Sequence, residues 1–435
     1  LLFPELRTTD ALLKAWRAIE SNTRTSQRAK TKEAGRKFAA DLPRNLRKLQ
    51  KSLLRGYEFS PVYGAAVPKG PGKVGNRPIA VATLADRVVQ RAILDTLHGA
   101  AHLQRLHAVL STPTSVGGLP GRGVDNALEI VEACAIDGYR HVAGSDIANF
   151  FNHIPKSHVV EFIRDEVGEE DFSDLFRDAL QVEVGNAAEL SAEDYRLFPT
   201  GDDGVAQGCP LSALAGNIVL RDFDQEMNDP ARGLVCVRYI DDFILLGRER
   251  RNVERGMQAA RRLLRTLKMD AYDPDLHPRK AFIGSIGQDF TFLGHQLLPG
   301  RYPPSRDAQL RLKANINTLI QDGQKTIAKA VSGRMLKPWE KPYAATVTAI
   351  HNAVSGWRGT YRLSNCPDVF SELNHWVVRR LMDFERYLDT TAPKSTPHLR
   401  ARAIGLAGMQ EGALRPLPEL LHSASTSGTG ATNKP

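Results

Sequence analysis

The chain has 435 residues, 42% of them hydrophobic and 25% charged, with a formal net charge of +9. That is enough apolar material for a large core, and the length suggests two or three domains. The composition excludes a disordered chain; no apolar run of about eighteen residues could span a bilayer, and no signal-peptide series opens the chain, so no membrane role is expected. Cys134, Cys209, Cys236 and Cys366 stand too far apart in sequence for a zinc knuckle or a disulfide framework. Residues 1–60 hold 14 Lys+Arg against 6 Asp+Glu and residues 306–435 hold 18 against 10, so the middle is net acidic. Basic flanks around an acidic centre suit a protein that grips a polyanion and holds divalent cations between.

The first fifty-five residues read as helices, with Leu12, Leu13, Trp16 and Ile19 on one face and Leu42, Leu46, Leu49 and Leu53 on another. From Pro61 to Pro78 short β-prone runs are broken by Lys69-Gly70-Pro71-Gly72-Lys73, the pattern of a mobile hairpin. Ala85 to His98 is helical. Tyr139 to Ile147 is a strand, Ser157 to Val167 a helix and Leu211 to Met227 a further apolar helix. Two short strands follow, Leu234 to Tyr239 and Phe243 to Leu246, and then a basic helix, Asn252 to Leu267. This order is a split βαβ arrangement, which brings the end of the first strand beside the central hairpin. After Tyr302 the pattern is helical to about Leu388, and Leu310, Ile316, Leu319 and Ile320 share a face. The tail from Thr390 is rich in Pro, Ser, Thr and Gly, and its last dozen residues read as disordered.

The chemistry concentrates on three carboxylates. Asp146 closes one strand, and Asp241-Asp242 occupy the tight connection of the hairpin that the topology sets next to it. Carboxylates crowded at one sheet edge repel one another unless a cation is bound. Their hard oxygens suit Mg²⁺, and paired ions would activate a 3′-hydroxyl and steady a leaving pyrophosphate. His98 and His102 have metal-pair spacing but no third ligand. Gly117 to Gly123 lacks the dinucleotide fingerprint and reads as a backbone-flexible nucleic-acid contact.

Tyr239-Ile240-Asp241-Asp242 resembles the signature of reverse transcriptases, and six further blocks stand in the matching order. Val67-Pro68-Lys69, Arg77-Pro78-Ile79 and Asp86-Arg87-Val88-Val89-Gln90 resemble a fingers motif, and Ser115-Val116-Gly117-Gly118 with Pro120-Gly121-Arg122 the next block. Asp146 to Phe151, Gln207-Gly208-Cys209-Pro210-Leu211-Ser212 and Phe292-Leu293-Gly294-His295 resemble the first palm motif, the template-side loop and the primer grip. Gly356-Trp357-Arg358 through Trp376 to Arg380 is similar to the thumb, or maturase, segment. The whole resembles group II intron-encoded reverse transcriptases and their free-standing, bacterial group II-like relatives.

The resemblance implies an α+β right-hand polymerase: N-terminal extension and fingers over 1–140, palm over 141–304, helical thumb over 305–390 and a partly disordered tail over 391–435. It implies Asp146, Asp241 and Asp242 as catalytic metal ligands, with Ile147 beside them, holding two Mg²⁺ ions or Mn²⁺ in their place. Lys69 and Arg77 match the cations that meet the triphosphate, and a guanidinium and an ammonium on a glycine-hinged hairpin suit closure over a polyanion. Gln207 and Lys280 match further nucleotide-side residues, and Phe151 the steric gate against a ribose 2′-hydroxyl. Tyr239, Ile240, Phe292, Leu293, Gly294, Gly121 and Arg122 match primer and template contacts. The partners implied are RNA and DNA template-primer duplexes and dNTPs, in the cytoplasm and at the nucleoid, with the oligomeric state open.

Two departures bear on biology. Intron-encoded members usually carry Ala at the position of Ile240, and Gly117-Gly118-Leu119 replaces a commonly aromatic and basic stretch. The reading that follows is a host-adopted enzyme of DNA double-strand break repair by microhomology end joining. The alternatives are an intron maturase serving splicing and retrohoming, and an antiphage defence reverse transcriptase.

Overall fold

The computed structural model describes residues 1–26, 28–69, 75–288, 290–337 and 339–406. The chain divides into two compact units, Leu1–Leu293 with Leu297–Gly300, and Gly294–Gln296 with the segments from Arg301 onward.

The first unit begins with helices. Thr9–Thr25 starts where the Thr8 hydroxyl accepts the Ala11 N–H, and buries Leu12, Ala15, Trp16 and Ile19 at helical spacing. Leu42–Leu54 carries Pro43 in its first turn and buries Leu46, Leu49 and Leu53. Leu84–Gly99, capped by Thr83, packs beneath the first of these through Val88, Val89, Ala92 and Ile93. Strands β1 (Tyr63–Pro68) and β2 (Asn76–Val81) pair antiparallel with Val67 opposite Arg77. The hairpin tip, Gly70–Val74, and the last dozen residues of the chain lie outside the described residues.

A four-stranded sheet forms the centre of this unit. It comprises β3 (His141–Asp146), β4 (Leu234–Tyr239), β5 (Asp242–Gly247) and β6 (Ala281–Ser285), in the order β4-β5-β3-β6, every neighbouring pair antiparallel. The first strand of the set therefore lies inside, between the third and the fourth, which is the split βαβ order. Helix Arg250–Thr266 buries Val253, Met257, Ala260 and Leu264, and packs on β3 and β5. The expected single helix over 211–227 is two, Ser212–Val219 and Arg221–Met227, joined at Leu220, whose ψ of 7° leaves the regular α-helical range.

The second unit packs Arg306–Val331 with Tyr343–Thr360 and Pro367–Thr391 around Leu312, Ile316, Ile320, Ile327, Ile350, Phe384 and Leu388. Leu310 is 53% exposed, so the buried row runs through Leu312 instead. Two residues along an α-helix is more than half a turn, which puts Leu310 on the far side. Pro397–Ile404, within the stretch read as tail, is a helix that packs on Arg306–Val331 and buries Ala403. No helix among the described residues is long and apolar enough to cross a membrane.

Candidate active site

The β3–β5 register sets Asp146 opposite Asp242, and the β4–β5 register sets Tyr239 opposite the same residue. The hairpin loop is thus Ile240-Asp241, two residues, and Ile240 takes a left-handed backbone with φ 61°. Glycine normally fills such a position in a two-residue hairpin. The Ile147 N–H donates to the Asp241 carbonyl at 2.8 Å, tying the turn to the residue after β3. Lys280, just before β6, sets its ammonium 2.6 Å from Asp146 Oδ2.

The electrostatics follow from this crowding. Burial pushes the Asp242 carboxyl far above the usual carboxylate range; its hydrogen bond to Asp146 and the charges of Asp146 and Asp241 add to the effect. Asp241 is raised as well, first by burial and then by Asp146, while Lys280 and Arg77 pull it back. At Lys280 burial opposes the charge, but the Asp146 carboxylate outweighs it and the ammonium is held above its ordinary range. Two half-buried acids held up in this way are a site short of positive charge. Among the described residues no three His, Cys, Asp or Glu side chains close on one point as a finished metal cage. Asp146 is engaged by both Lys280 and Asp242. The donor set itself, hard carboxylate oxygens, fits a divalent cation of the Mg²⁺ class.

These groups open into a cleft of about 540 Å³. Asp146, Ile147 and Asp241 line it, and Lys69, Arg77 and Lys280 bring three cations to it, with Phe151 and Gln207 also at the wall. Arg77 stands exposed on β2, and the Gln207 carbonyl accepts the Ala80 N–H at 3.0 Å, fixing that loop to the same strand. The Phe151 ring lies 5.3 Å from that of Phe150 and packs partly against the core while reaching the cleft. A second cavity, about 560 Å³ and lined by Trp357, Tyr361 and Phe370 in the other unit, has no carboxylate in its wall.

The remaining expected residues are dispersed. Tyr239 and Ile240 are half-buried at the turn. Gly121 is left-handed with open space around it. Arg122 turns inward, its guanidinium donating to the carbonyls of Ser111, Thr112 and Ser115. Phe292 is buried and Leu293 left-handed, both in the first unit, whereas Gly294 belongs to the second, close under the Tyr361 hydroxyl. The flexible-contact reading of the glycine block is corrected at Gly117. That residue is buried behind the turn, where a Cβ would fall 2.4 Å from the Ile240 nitrogen, so glycine serves a close approach of two backbones there.

Residues 67–297 match the profile of the reverse transcriptase (RNA-dependent DNA polymerase) family. The chain belongs to that family. This reverse transcriptase is an RNA-directed DNA polymerase, a nucleotidyltransferase. It is similar to Protein YkfC of Escherichia coli (strain K12), 25% identical over 334 residues that make up 68% of this chain and 81% of that protein. Among solved structures it is similar to chains of a partial Cas6-RT-Cas1--Cas2 complex and of a Cas6-RT-Cas1--Cas2 complex, each at 19% identity over 62% of this chain with a TM-score of 0.34. It spans 43% and 27% of the length of those two chains.

Sequence reasoning passed over several residues of the reverse transcriptase's cleft. Asn76, Asn149, Asn152 and Tyr272 also line it. Asn149 takes a left-handed backbone (φ 49°), which asparagine tolerates better than most residues, and Tyr272 lies under the Lys280 ammonium at 4.9 Å. Tyr272 follows a helix and carries no periodic signal. Asn149, three residues after a strand-ending aspartate, is the kind of turn residue that composition alone flags.

Proposed function

We propose that the cleft is the polymerisation site, because its wall brings two acids, Asp146 and Asp241, together with three cations, Lys69, Arg77 and Lys280. That juxtaposition carries the reading, because an incoming dNTP needs anion-binding groups at its phosphates and metal-binding groups where the bond forms. Reverse transcriptase domains generally use divalent metal; Mg²⁺, or Mn²⁺ in its place, would be held by Asp146, Asp241 and Asp242 with Ile147 beside them. Two such ions supply, when bound, the Lewis acidity that activates a primer 3′-hydroxyl and steadies the leaving pyrophosphate. Lys69 and Arg77 neutralise the triphosphate, Lys280 balances Asp146 in the empty cleft and turns to phosphate in the filled one, Gln207 packs on the nucleotide, and Phe151 excludes the 2′-hydroxyl. Asp241→Asn removes one anionic ligand while keeping shape. Primer extension is expected to fall by at least about a thousandfold, some 4 kcal/mol of barrier, with primer-template binding retained. Extension at the wild-type rate would end this assignment.

The proposed biological role is repair of broken DNA by joining ends through a few complementary bases, as a free-standing group II-like enzyme. What supports it is Ile240, a stiff β-branched residue beside Asp241 in a left-handed turn, suited to press on a terminal primer nucleotide. Ile240→Ala is expected to favour extension of a long annealed primer over extension from a few-base overlap. Equal changes in the two assays would remove the support.

A further inference from the structure

Arg238 is the next-to-last residue of β4, and its side chain is completely buried, at 0% exposure. A guanidinium in that position must have its charge and its donors satisfied. Its Nε and Nη2 grip Asp224 of helix Arg221–Met227 at 2.7 and 2.5 Å, and Nη2 also donates to the Ser115 hydroxyl at 2.7 Å. The remaining arm, Nη1, donates at 2.8 Å to the carbonyl of Ile240, the residue immediately before Asp241.

The backbone is held as firmly. The Arg238 N–H donates to the Thr114 carbonyl and the Val116 N–H donates to the Arg238 carbonyl, both at 2.9 Å, so the 114–116 loop lies along the outer edge of β4. Asn217 donates at 3.0 Å to the Gly117 carbonyl, seating that glycine against the Ile240 backbone. Asp241 therefore sits between two fixed peptides. The one before it is held by Arg238 through the Ile240 carbonyl, and the one after it by the Ile147 N–H.

We infer that Arg238 is a positioning residue for nucleotide addition: anchored on Asp224, it fixes the Ile240–Asp241 peptide and with it the direction in which Asp241 presents its carboxylate. The inference rests on the reading of Asp241 as a catalytic group. The competing account is that Arg238 and Asp224 merely tie a strand to a helix.

The double variant Arg238→Met with Asp224→Leu separates the two accounts, because removing both charges leaves neither buried without a partner. It keeps the packing and deletes the donor to Ile240. Positioning predicts a melting temperature and a primer-template Kd near wild type, an unchanged KM for dNTP, and kcat lower by about a hundredfold. A folded double variant with wild-type kcat, or with its loss confined to KM or to Kd, overturns the inference. Arg238→Lys serves if the double variant does not fold. One ammonium keeps the charge on Asp224 but does not reproduce the fork that also reaches Ile240, so kcat again falls at constant KM, and wild-type kcat again overturns the inference. Asp241→Asn in the same panel keeps the two questions apart. Activity retained there removes the catalytic assignment, whereas a dead Asp241→Asn beside a fully active double variant removes only the role of Arg238.

Discussion

Asp242 faces Asp146 across the β3–β5 register with its proton affinity raised chiefly by burial, and this has a consequence for stability. An acid whose folded-state pKa lies above its unfolded value binds more protons when folded, so stability is fullest below the ordinary carboxylate range and is lost as pH rises through the folded value. The metal-free protein is expected to melt at progressively lower temperature between about pH 5 and about pH 9, and Asp242→Asn to flatten that slope. Thermal melts in chelator across that range, for both proteins, check it; parallel curves would contradict it. Phe151 yields a second prediction at this scale. Phe151→Ala is expected to lower discrimination against ribonucleotides by about tenfold or more while dNTP addition continues, measured as the ratio of the two kcat/KM values. The meeting of Asp146 with Asp242 was legible in the sequence, because the strand order sets the end of the first strand beside the hairpin that carries the Asp-Asp pair. Arg238 was not, since arginine in a basic chain reads as surface charge. Its signal was weak but present: it shares the alternation of Leu234 and Cys236, both buried, so strand periodicity alone turns it inward.

At the scale of elements, the hairpin between β4 and β5 owes its shape as much to the loop behind it as to its own residues. Gly117→Ala would drive a Cβ into the Ile240 nitrogen at 2.4 Å and the Tyr239 carbonyl carbon at 2.8 Å, both backbone atoms that cannot swing aside. The expected cost is about 1–3 kcal/mol of stability, as in other overpacked sites, and a larger proportional loss of primer extension because the displaced atoms carry Asp241. Melting temperature and kcat measured on the same preparation decide it; wild-type activity with normal melting would show that the turn tolerates the shift. Strands β3, β4 and β5 and most helices could be drawn from periodicity, within a residue or two at Leu84–Gly99, Lys156–Val167 and Arg250–Thr266, whereas β6 could not. The break at Leu220 and the helix Pro397–Ile404 could not. The first falls where the mostly apolar run ends against Arg221-Asp222, with no glycine or proline at the break itself, and the second sits in a stretch whose composition favours coil. The role of Gly117 was hidden for another reason: its partner is more than a hundred residues further along the chain.

For the whole molecule, the division of charge is the property with reach. The basic stretches lie at the two ends of the sequence, and Lys37, Arg44, Arg47, Lys48 and Lys51 line one groove on the N-terminal helices. Primer-template affinity is expected to fall steeply with salt, linearly in a log-log plot with a slope of about −0.9 for each phosphate contact replaced. Lys48→Gln combined with Lys51→Gln should reduce that slope by roughly one to two, and an unchanged slope would mean that the groove does not meet the backbone. Overall charge and fold class were open to sequence reading because both are sums over many residues. Contacts that depend on a single approach, such as Arg122 turning to three carbonyls, were not.

The outer edge of β4 also bears on whether the protein stays in solution. Leu234-Val235-Cys236-Val237 is an uncharged, β-prone run on an edge strand, the type of segment that recruits a like segment from another molecule. Asn228 occupies the N–H and the carbonyl of Cys236 at 2.9 and 3.1 Å, and the 114–116 loop occupies those of Arg238. A side chain and a loop thus stand where a neighbouring molecule's strand would add. Asn228→Ala is expected to send a larger share of the expressed protein into the insoluble fraction than its loss of thermal stability alone accounts for. Fractionation beside a variant of equal melting temperature mutated elsewhere gives the comparison, and equal solubility of the two would leave the edge without this protective role.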